Sequence, residues 1–135
     1  MGRYLGLDVG DRRIGIALSD EMHWIASPHS VYTRVGWGPD VKYILSLYRQ
    51  NGCEKLVCGL PKNMDGSVGF QAEKVLAFAE KLKEAGMDVV FQDERLSTVS
   101  AHDALIEGGM RREERKGTVD KVAAAVILQQ YLDKK

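Results

Sequence analysis

The sequence contains few of the residues from which small proteins build disulfide frameworks or zinc sites. Its 135 residues include only two cysteines and three histidines. Cys53 and Cys58 do not have the C-x-x-C spacing of zinc or redox pairs, and no histidine lies close to them in the chain. We therefore expect two reduced thiols in a cytoplasmic protein, with Cys58 inside a strand.

The sequence also lacks a long apolar run and an excess of charge of either sign. The apolar segment that follows Met1-Gly2-Arg3 is too short for a signal peptide or a membrane span, so we expect neither, and no membrane partner. The 19 basic and 19 acidic residues give a formal net charge of zero. A polyanion would therefore have to bind to a local basic patch rather than to a uniformly basic surface.

No repeat, low-complexity tract or linker rich in proline, glycine and serine divides the chain. The composition, 44% hydrophobic and 28% charged, is typical of a globular protein, and the length is sufficient for one hydrophobic core. We therefore predict a single domain over residues 1–135.

The first third of the chain has the pattern of three consecutive strands. A compact apolar run covers Tyr4–Val9, and Arg13–Ser19 alternates between large apolar and small residues. The link Gly10-Asp11-Arg12 is short enough for a hairpin, and a third short strand fits Ser30–Thr33. These features predict an antiparallel meander.

The remaining chain alternates between helical and strand patterns. A helix follows Pro39 and stops at Gly52, and another ends at Gly86. Short apolar runs over Leu56–Leu60 and Val89–Phe91 predict buried parallel strands. Two more helices are predicted, one from Ser97 or Thr98 to about Ile106, and one that begins at Thr118 after a polar loop over Met110–Gly117. The order predicts an α/β fold in which a meander and βαβ crossovers form a five-stranded mixed sheet flanked by helices, the order of the RNase H-like fold.

Three carboxylates occupy positions where ligands gather in such sheets. Asp8 lies near the carboxyl end of the first strand, Glu94 just beyond the last strand, and Asp120 in the predicted first turn of the final helix. Each has a simpler explanation: a strand-end turn, an ion pair with Arg95, and a favourable interaction with the helix dipole, respectively. Asp93 could replace Glu94.

Carboxylates that converge without histidine or cysteine favour Mg²⁺ or Mn²⁺ over zinc. Two such ions can activate water and stabilise the leaving oxygen of a phosphoryl transfer, so the acidic residues predict phosphodiester chemistry. Asp65, in the loop after the fourth strand, is a further candidate ligand.

Four motifs, in the same order, resemble the YqgF family of RuvX-like Holliday-junction resolvases and pre-16S rRNA nucleases. They are Gly6-Leu7-Asp8-Val9-Gly10 with Arg13–Asp20, then Gly59–Ser67, Asp93–Thr98 and Asp120–Leu128. The resemblance runs nearly from end to end. It implies an RNase H-like fold, a RuvC-like nuclease mechanism and a role in maturing the 5′ end of small-subunit ribosomal RNA. It also implies that Asp8, Glu94 and Asp120 are catalytic metal ligands.

Two groups of residues are candidates for binding nucleic acid. The first lies near the predicted acidic edge and comprises Lys62, Asn63, Ser67 and Arg95. The second is the basic cluster Arg111, Arg112, Arg115 and Lys116. A solvated turn or loop is the alternative for both groups. For Arg12 and Arg13 we expect surface charge, and for Trp24 and Trp37 packing rather than base stacking.

Three alternatives to an rRNA nuclease follow from the same residues. A non-catalytic RNA-binding factor for assembly of the small ribosomal subunit would keep the fold without cleavage. A Holliday-junction resolvase would act as a symmetric homodimer, whereas an rRNA nuclease could be a monomer. An actin-like phosphotransferase would need two such domains around ATP, and 135 residues form only one; the sequence also lacks a Walker lysine loop.

Overall fold

The computed structural model describes residues 2–62, 65, 67–93 and 112–134, with the backbone alone for 112–119. Its elements are β1 Arg3–Val9, β2 Arg13–Ser19, β3 Ala26–Thr33, α1 Trp37–Gln50, β4 Cys53–Leu60, α2 Phe70–Glu84, β5 Val89–Asp93 and α3 Arg112–Asp133. The helix predicted over residues 97–106 lies outside the described residues.

The five strands form one mixed sheet in the order β3-β2-β1-β4-β5. β1 pairs antiparallel with β2, and β2 with β3, whereas β1 pairs parallel with β4, and β4 with β5. The predicted meander and crossovers are confirmed. The strands that follow β1 are added first toward one edge of the sheet, as β2 and β3, and then toward the other edge, as β4 and β5. The carboxyl end of β1 is therefore a topological switch point.

β3 is longer than the sequence predicted, because it begins at Ala26 rather than near Ser30. It contains Pro28, which has no N–H to donate, but an edge strand tolerates such a residue. The β2–β3 register shifts between Ile16 and Ala17, the residue that pairs with Pro28.

The two faces of the sheet pack against different helices. Leu5, Leu7 and Val9 of β1 face the main core, which also contains buried side chains of α1 and α2. Tyr4 faces a second cluster that contains α3. Because neighbouring side chains of a strand point to opposite faces, Asp8 projects toward the α3 face.

α3 begins at Arg112, and the prediction of a polar loop over 110–117 was wrong for residues 112–117. Glu113, Glu114, Arg115 and Lys116 all have high helix propensity, and together they outweigh the destabilising Gly117. Asp120 therefore lies more than two turns inside the helix rather than in its first turn. The dipole explanation for this carboxylate does not apply, because that effect is confined to the helix ends.

α3 approaches the sheet closely because the sheet presents glycines to it. A β-carbon on Gly6 would lie 2.8 Å from Cβ of Leu128, and one on Gly15 would overlap the carbonyl oxygen of Asp120. Ala17, which pairs with Gly6, is fully buried on the same face. Small residues in β1 and β2 thus allow α3 to pack closely on the sheet.

A buried ion pair joins β3 to the start of α1. Arg34 Nε donates to Asp40 Oδ2 at 2.9 Å, and the N–H of Val35 donates to Asp40 Oδ1 at 3.0 Å. Arg34 also donates to the carbonyl oxygen of Gly10 at 2.9 Å. Burial alone raises the pKa of Asp40, but these hydrogen bonds outweigh it and hold the pKa below its usual value. The sequence patterns did not predict this buried carboxylate.

Both cysteines are free thiols, and Cys58 is buried in β4, as predicted. Burial raises the pKa of Cys53 to about 11. Within the described parts of the chain, no helix is long and apolar enough to cross a membrane.

Candidate active site

Asp8 and Asp120 occupy neighbouring positions on the α3 face. Asp8 is the cross-strand partner of Gly15 in the β1–β2 pair. Gly15 in turn lies directly beneath the main chain of Asp120. Both residues are partly buried, and both lie near the carboxyl end of β1. The structure therefore brings together two of the three predicted metal ligands.

Arg13 is part of this site, which corrects the prediction that it is only a surface charge. Its Nε donates to Asp120 Oδ2 at 2.6 Å, and its side chain is 39% exposed. Arg13 shares a face of β2 with the small residues Gly15, Ala17 and Ser19, whereas the other face carries large apolar residues. Those small residues were the signal that a helix covers this face and that Arg13 points toward it.

The remaining acidic candidates lie elsewhere or are not described. Glu94 lies outside the described residues. Asp93 pairs with Leu60, which faces the main core, so Asp93 projects from the face opposite Asp8. Asp65 Oδ1 accepts hydrogen bonds from Ser67, at 2.9 Å from N and 2.6 Å from Oγ, and so stabilises a turn. Among the described residues, no three histidine, cysteine or acidic side chains are grouped to hold a metal ion.

The structure places the nucleic-acid candidates only in part. Lys62 follows β4 and is half-buried, and Ser67 is exposed. Asn63, Arg95 and Arg111 lie outside the described residues. Arg112, Arg115 and Lys116 belong to the first turns of α3, where only the backbone is described.

Gln92 is a buried polar residue on the α3 face of β5, and the sequence patterns did not single it out. It pairs with Gly59 of β4 and is 7% exposed. Its Nε2 donates to the carbonyl oxygen of Asp93 at 3.2 Å, whereas its buried Oε1 has no hydrogen-bond partner among the described residues.

Comparison with known proteins identifies the family. The model of the RuvX family, described as Holliday junction resolvase, matches residues 2–134. The chain belongs to the RuvX family. This is the YqgF family predicted from the motifs. Relatives from Caldanaerobacter subterraneus subsp. tengcongensis and Clostridioides difficile are 51% and 47% identical, each over 133 residues. The alignments cover 97% and 98% of this chain and 96% and 94% of the relatives, both of which are named "Putative pre-16S rRNA nuclease".

Solved structures confirm the RNase H-like fold of the RuvX chain. The fowlpox virus Holliday junction resolvase has a TM-score of 0.61 at 11% identity, with 98% of this chain and 99% of that one covered. The RuvC protein of T. thermophilus, in complex with a Holliday junction substrate, has a TM-score of 0.58 at 14% identity, with 99% and 95% covered. At these identities the likeness concerns the fold alone.

Proposed function

We propose that this protein is a metal-dependent nuclease that hydrolyses phosphodiester bonds of precursor 16S rRNA in the cytoplasm. The observation that carries the proposal is that Asp8 and Asp120 are both neighbours of Gly15, at the switch point of an RNase H-like sheet. The two residues come from the first strand and the last helix. Neighbouring carboxylates repel each other, and a divalent cation bound between them would relieve that repulsion.

The side chains present fit a hard divalent cation. Asp8 and Asp120 offer carboxylate oxygens, which Mg²⁺ and Mn²⁺ prefer, and we propose Glu94 as the third ligand. A bound divalent ion would lower the pKa of a coordinated water and neutralise charge on the leaving oxygen. Arg13, which donates to Asp120 Oδ2 at 2.6 Å, orients that carboxylate.

The proposed substrate follows from the relatives, which are named as nucleases of pre-16S rRNA. We propose that Lys62, Asn63, Ser67 and Arg95 contact the strand near the cleaved bond. Arg112, Arg115 and Lys116, in the first turns of the helix that carries Asp120, would contact phosphates farther along, together with Arg111, which precedes them in the sequence. Such a local patch would allow a protein of zero net charge to bind a polyanion.

Holliday-junction resolution is the second candidate, since the family model and the solved structures carry that description. Resolution of a symmetric junction requires two active sites related by a twofold axis, and thus a homodimer. The mass of the protein in solution, with and without junction DNA, separates this candidate from a monomeric rRNA nuclease.

A cleavage assay tests the proposal. Purified protein is incubated with Mg²⁺ or Mn²⁺ and either a precursor rRNA fragment or a four-way DNA junction. We expect cleavage of the RNA, which EDTA and Asp8→Asn abolish and Asp133→Asn, on the exposed end of α3, leaves unchanged. If the wild type binds the RNA without cutting it under any metal condition, the protein is an RNA-binding assembly factor instead. If Asp8→Asn cleaves at the wild-type rate, the assignment of the acidic site is wrong.

A further inference from the structure

A cleft opens beside the proposed active site, on the opposite face of the sheet. Its volume is about 490 Å³. Its walls include Gly10 and Asp11 after β1, Val35 and Trp37 at the start of α1, and Gln71 and Lys74 in α2. Gly10 lies two residues beyond Asp8, which is about 7 Å along an extended chain. The cleft and the two carboxylates therefore share one end of β1.

The cleft has an aromatic wall that the protein core holds in place. Trp37 is 46% exposed, and its ring meets Phe78 edge to face with centroids 5.9 Å apart. Phe78 is fully buried, so it anchors the indole while leaving part of it open to the cleft. Val35, in the lining, is 75% exposed, and Phe70, which precedes the lining residue Gln71 in α2, is 74% exposed. Folding alone does not account for the exposure of such large apolar side chains in and beside one cleft.

The exposed cation of the cleft is Lys74. Its Nζ lies 4.5 Å from the centroid of the Phe70 ring and 3.3 Å from Asp11 Oδ1. The Lys74–Asp11 pair is solvent-exposed on both sides, so it contributes little energy and a phosphate can compete for the lysine. The other charges of the lining, Arg34 and Asp40, neutralise each other in a pair of which the carboxylate is buried.

An aromatic face next to an accessible lysine suits a nucleotide, because the base can stack while the phosphate binds the cation. We propose that this cleft binds an unpaired nucleotide of the nucleic-acid strand, with the base on Trp37 and the phosphate at Lys74. This inference rests on the proposed function for the identity of the ligand. It adds that the protein holds single-stranded substrate next to the bond that it cuts.

Tryptophan fluorescence tests this inference directly, because the chain has only two tryptophans. Trp24 is 71% exposed and lies in the turn between β2 and β3, away from the cleft lining. Trp24→Phe leaves Trp37 as the sole reporter, and Trp37→Phe leaves Trp24 as the matched control. Each variant is titrated with short oligouridylate in EDTA, so that cleavage does not interfere.

We expect saturable quenching in Trp24→Phe and in the wild type, and none in Trp37→Phe. An abasic oligomer of the same length should not quench, since stacking requires a base. Loss of one stacked base weakens binding by roughly 5- to 150-fold, so Trp37→Ala should raise the dissociation constant by a factor in that range. A parallel titration with oligodeoxyuridylate shows whether the cleft distinguishes RNA from DNA.

Lys74→Gln tests the phosphate contact. It should lower the slope of log affinity against log salt by about 0.7 for a single strand, whereas Lys42→Gln, an exposed lysine of α1 outside the lining, should not. Equal quenching in both tryptophan variants, no quenching in either, or an unchanged slope in Lys74→Gln would overturn the inference. A cleft that accepts a protein partner instead would give no response to any oligomer.

The outcome is separable from that of the cleavage assay. Quenching at Trp37 without cleavage under any metal condition would support nucleotide binding in the cleft and contradict the proposed nuclease function. Cleavage without quenching at Trp37 would support the nuclease function and contradict nucleotide binding in the cleft.

Discussion

The main chain of Gly15 lies directly against the carbonyl oxygen of Asp120, with no space for a β-carbon between them. Gly15 is also the cross-strand partner of Asp8. A residue without a side chain thus sets the height at which α3 sits above the sheet. The same contact sets the relative position of the two carboxylates.

We predict that Gly15→Ala destabilises the protein by at least about 1–3 kcal/mol, because the added methyl must push α3 away from the sheet. Gly38→Ala is the matched control: a β-carbon there meets nothing within 4 Å, and alanine in a helix is favoured over glycine by about 0.5–1 kcal/mol. Urea unfolding of both variants measures the difference. Equal stability of the two would show that the close approach is not a constraint.

Asp8→Asn should abolish cleavage while leaving the fold intact or more stable in metal-free buffer. Removing one of two adjacent negative charges relieves repulsion, and a gain of about 1 kcal/mol would raise the melting temperature by roughly 3–5 °C. Asp133→Asn, an exposed residue of α3, should not raise it. A clear loss of stability in Asp8→Asn would indicate a structural carboxylate instead.

Mg²⁺ or Mn²⁺ should bind weakly and raise the melting temperature of the wild type. An ion present at 100 times its dissociation constant stabilises the folded state by about 2.7 kcal/mol. The shift should disappear in Asp8→Asn. A zinc-specific chelator should not change the melting temperature of the wild type. Unfolding of the wild type by a zinc-specific chelator would contradict this prediction.

Arg111→Ala with Arg112→Ala should weaken RNA binding about equally for all sequences. Each phosphate contact contributes roughly 0.7–0.9 to the slope of log affinity against log salt, so the slope should fall by about one to two. The matched control, Lys42→Ala with Arg49→Ala, removes two exposed cations from α1. If both double variants have the wild-type slope, the basic cluster is a solvated surface, and Lys62 becomes the leading phosphate contact.

The Arg34–Asp40 pair should make stability depend on acid pH. The folded-state pKa of Asp40 is lowered, so its stabilising contribution is complete above the unfolded value near 3.9 and is lost as the pH falls through the lower folded value. Asp40→Asn should destabilise the protein by about 2 kcal/mol at neutral pH, with a smaller difference from wild type in strong acid. Denaturant unfolding at neutral and acidic pH measures this. A difference that does not change with pH would show that the carboxylate charge contributes nothing.

The sequence predicted the features that depend on local patterns. Alternation in Arg13–Ser19 and the apolar run Leu56–Leu60 were sufficient for the strands, and their order was sufficient for the sheet. The start of α3 was missed because Gly117 and the charged residues before it resemble a loop, although those charged residues favour helix. A single domain over residues 1–135 stays a prediction.

The features that depend on distant contacts could not be predicted in the same way. Arg13 follows the polar hairpin link Gly10-Asp11-Arg12, where an exposed charge is expected, and its partner Asp120 is 107 residues away in the sequence. Asp40 is a charged residue in a first helical turn, a position that is usually exposed, and hydrogen bonds from Arg34 and the N–H of Val35 make its burial favourable. Asp8 and Asp120 were predicted to lie at one end of the sheet because ligands gather at strand carboxyl ends near a switch point. That they hold a metal ion, together with Glu94, remains a proposal.

The 107-residue separation of Arg13 and Asp120 also has a consequence for folding. The meander of β1, β2 and β3 closes through short turns, whereas docking of α3 must first close a loop of almost the whole chain. We expect the sheet to form before the final helix reaches it. Because Asp120 arrives with that helix, a partly folded chain would have a recognisable sheet but not both carboxylates, so the proposed nuclease site would exist only once folding is complete.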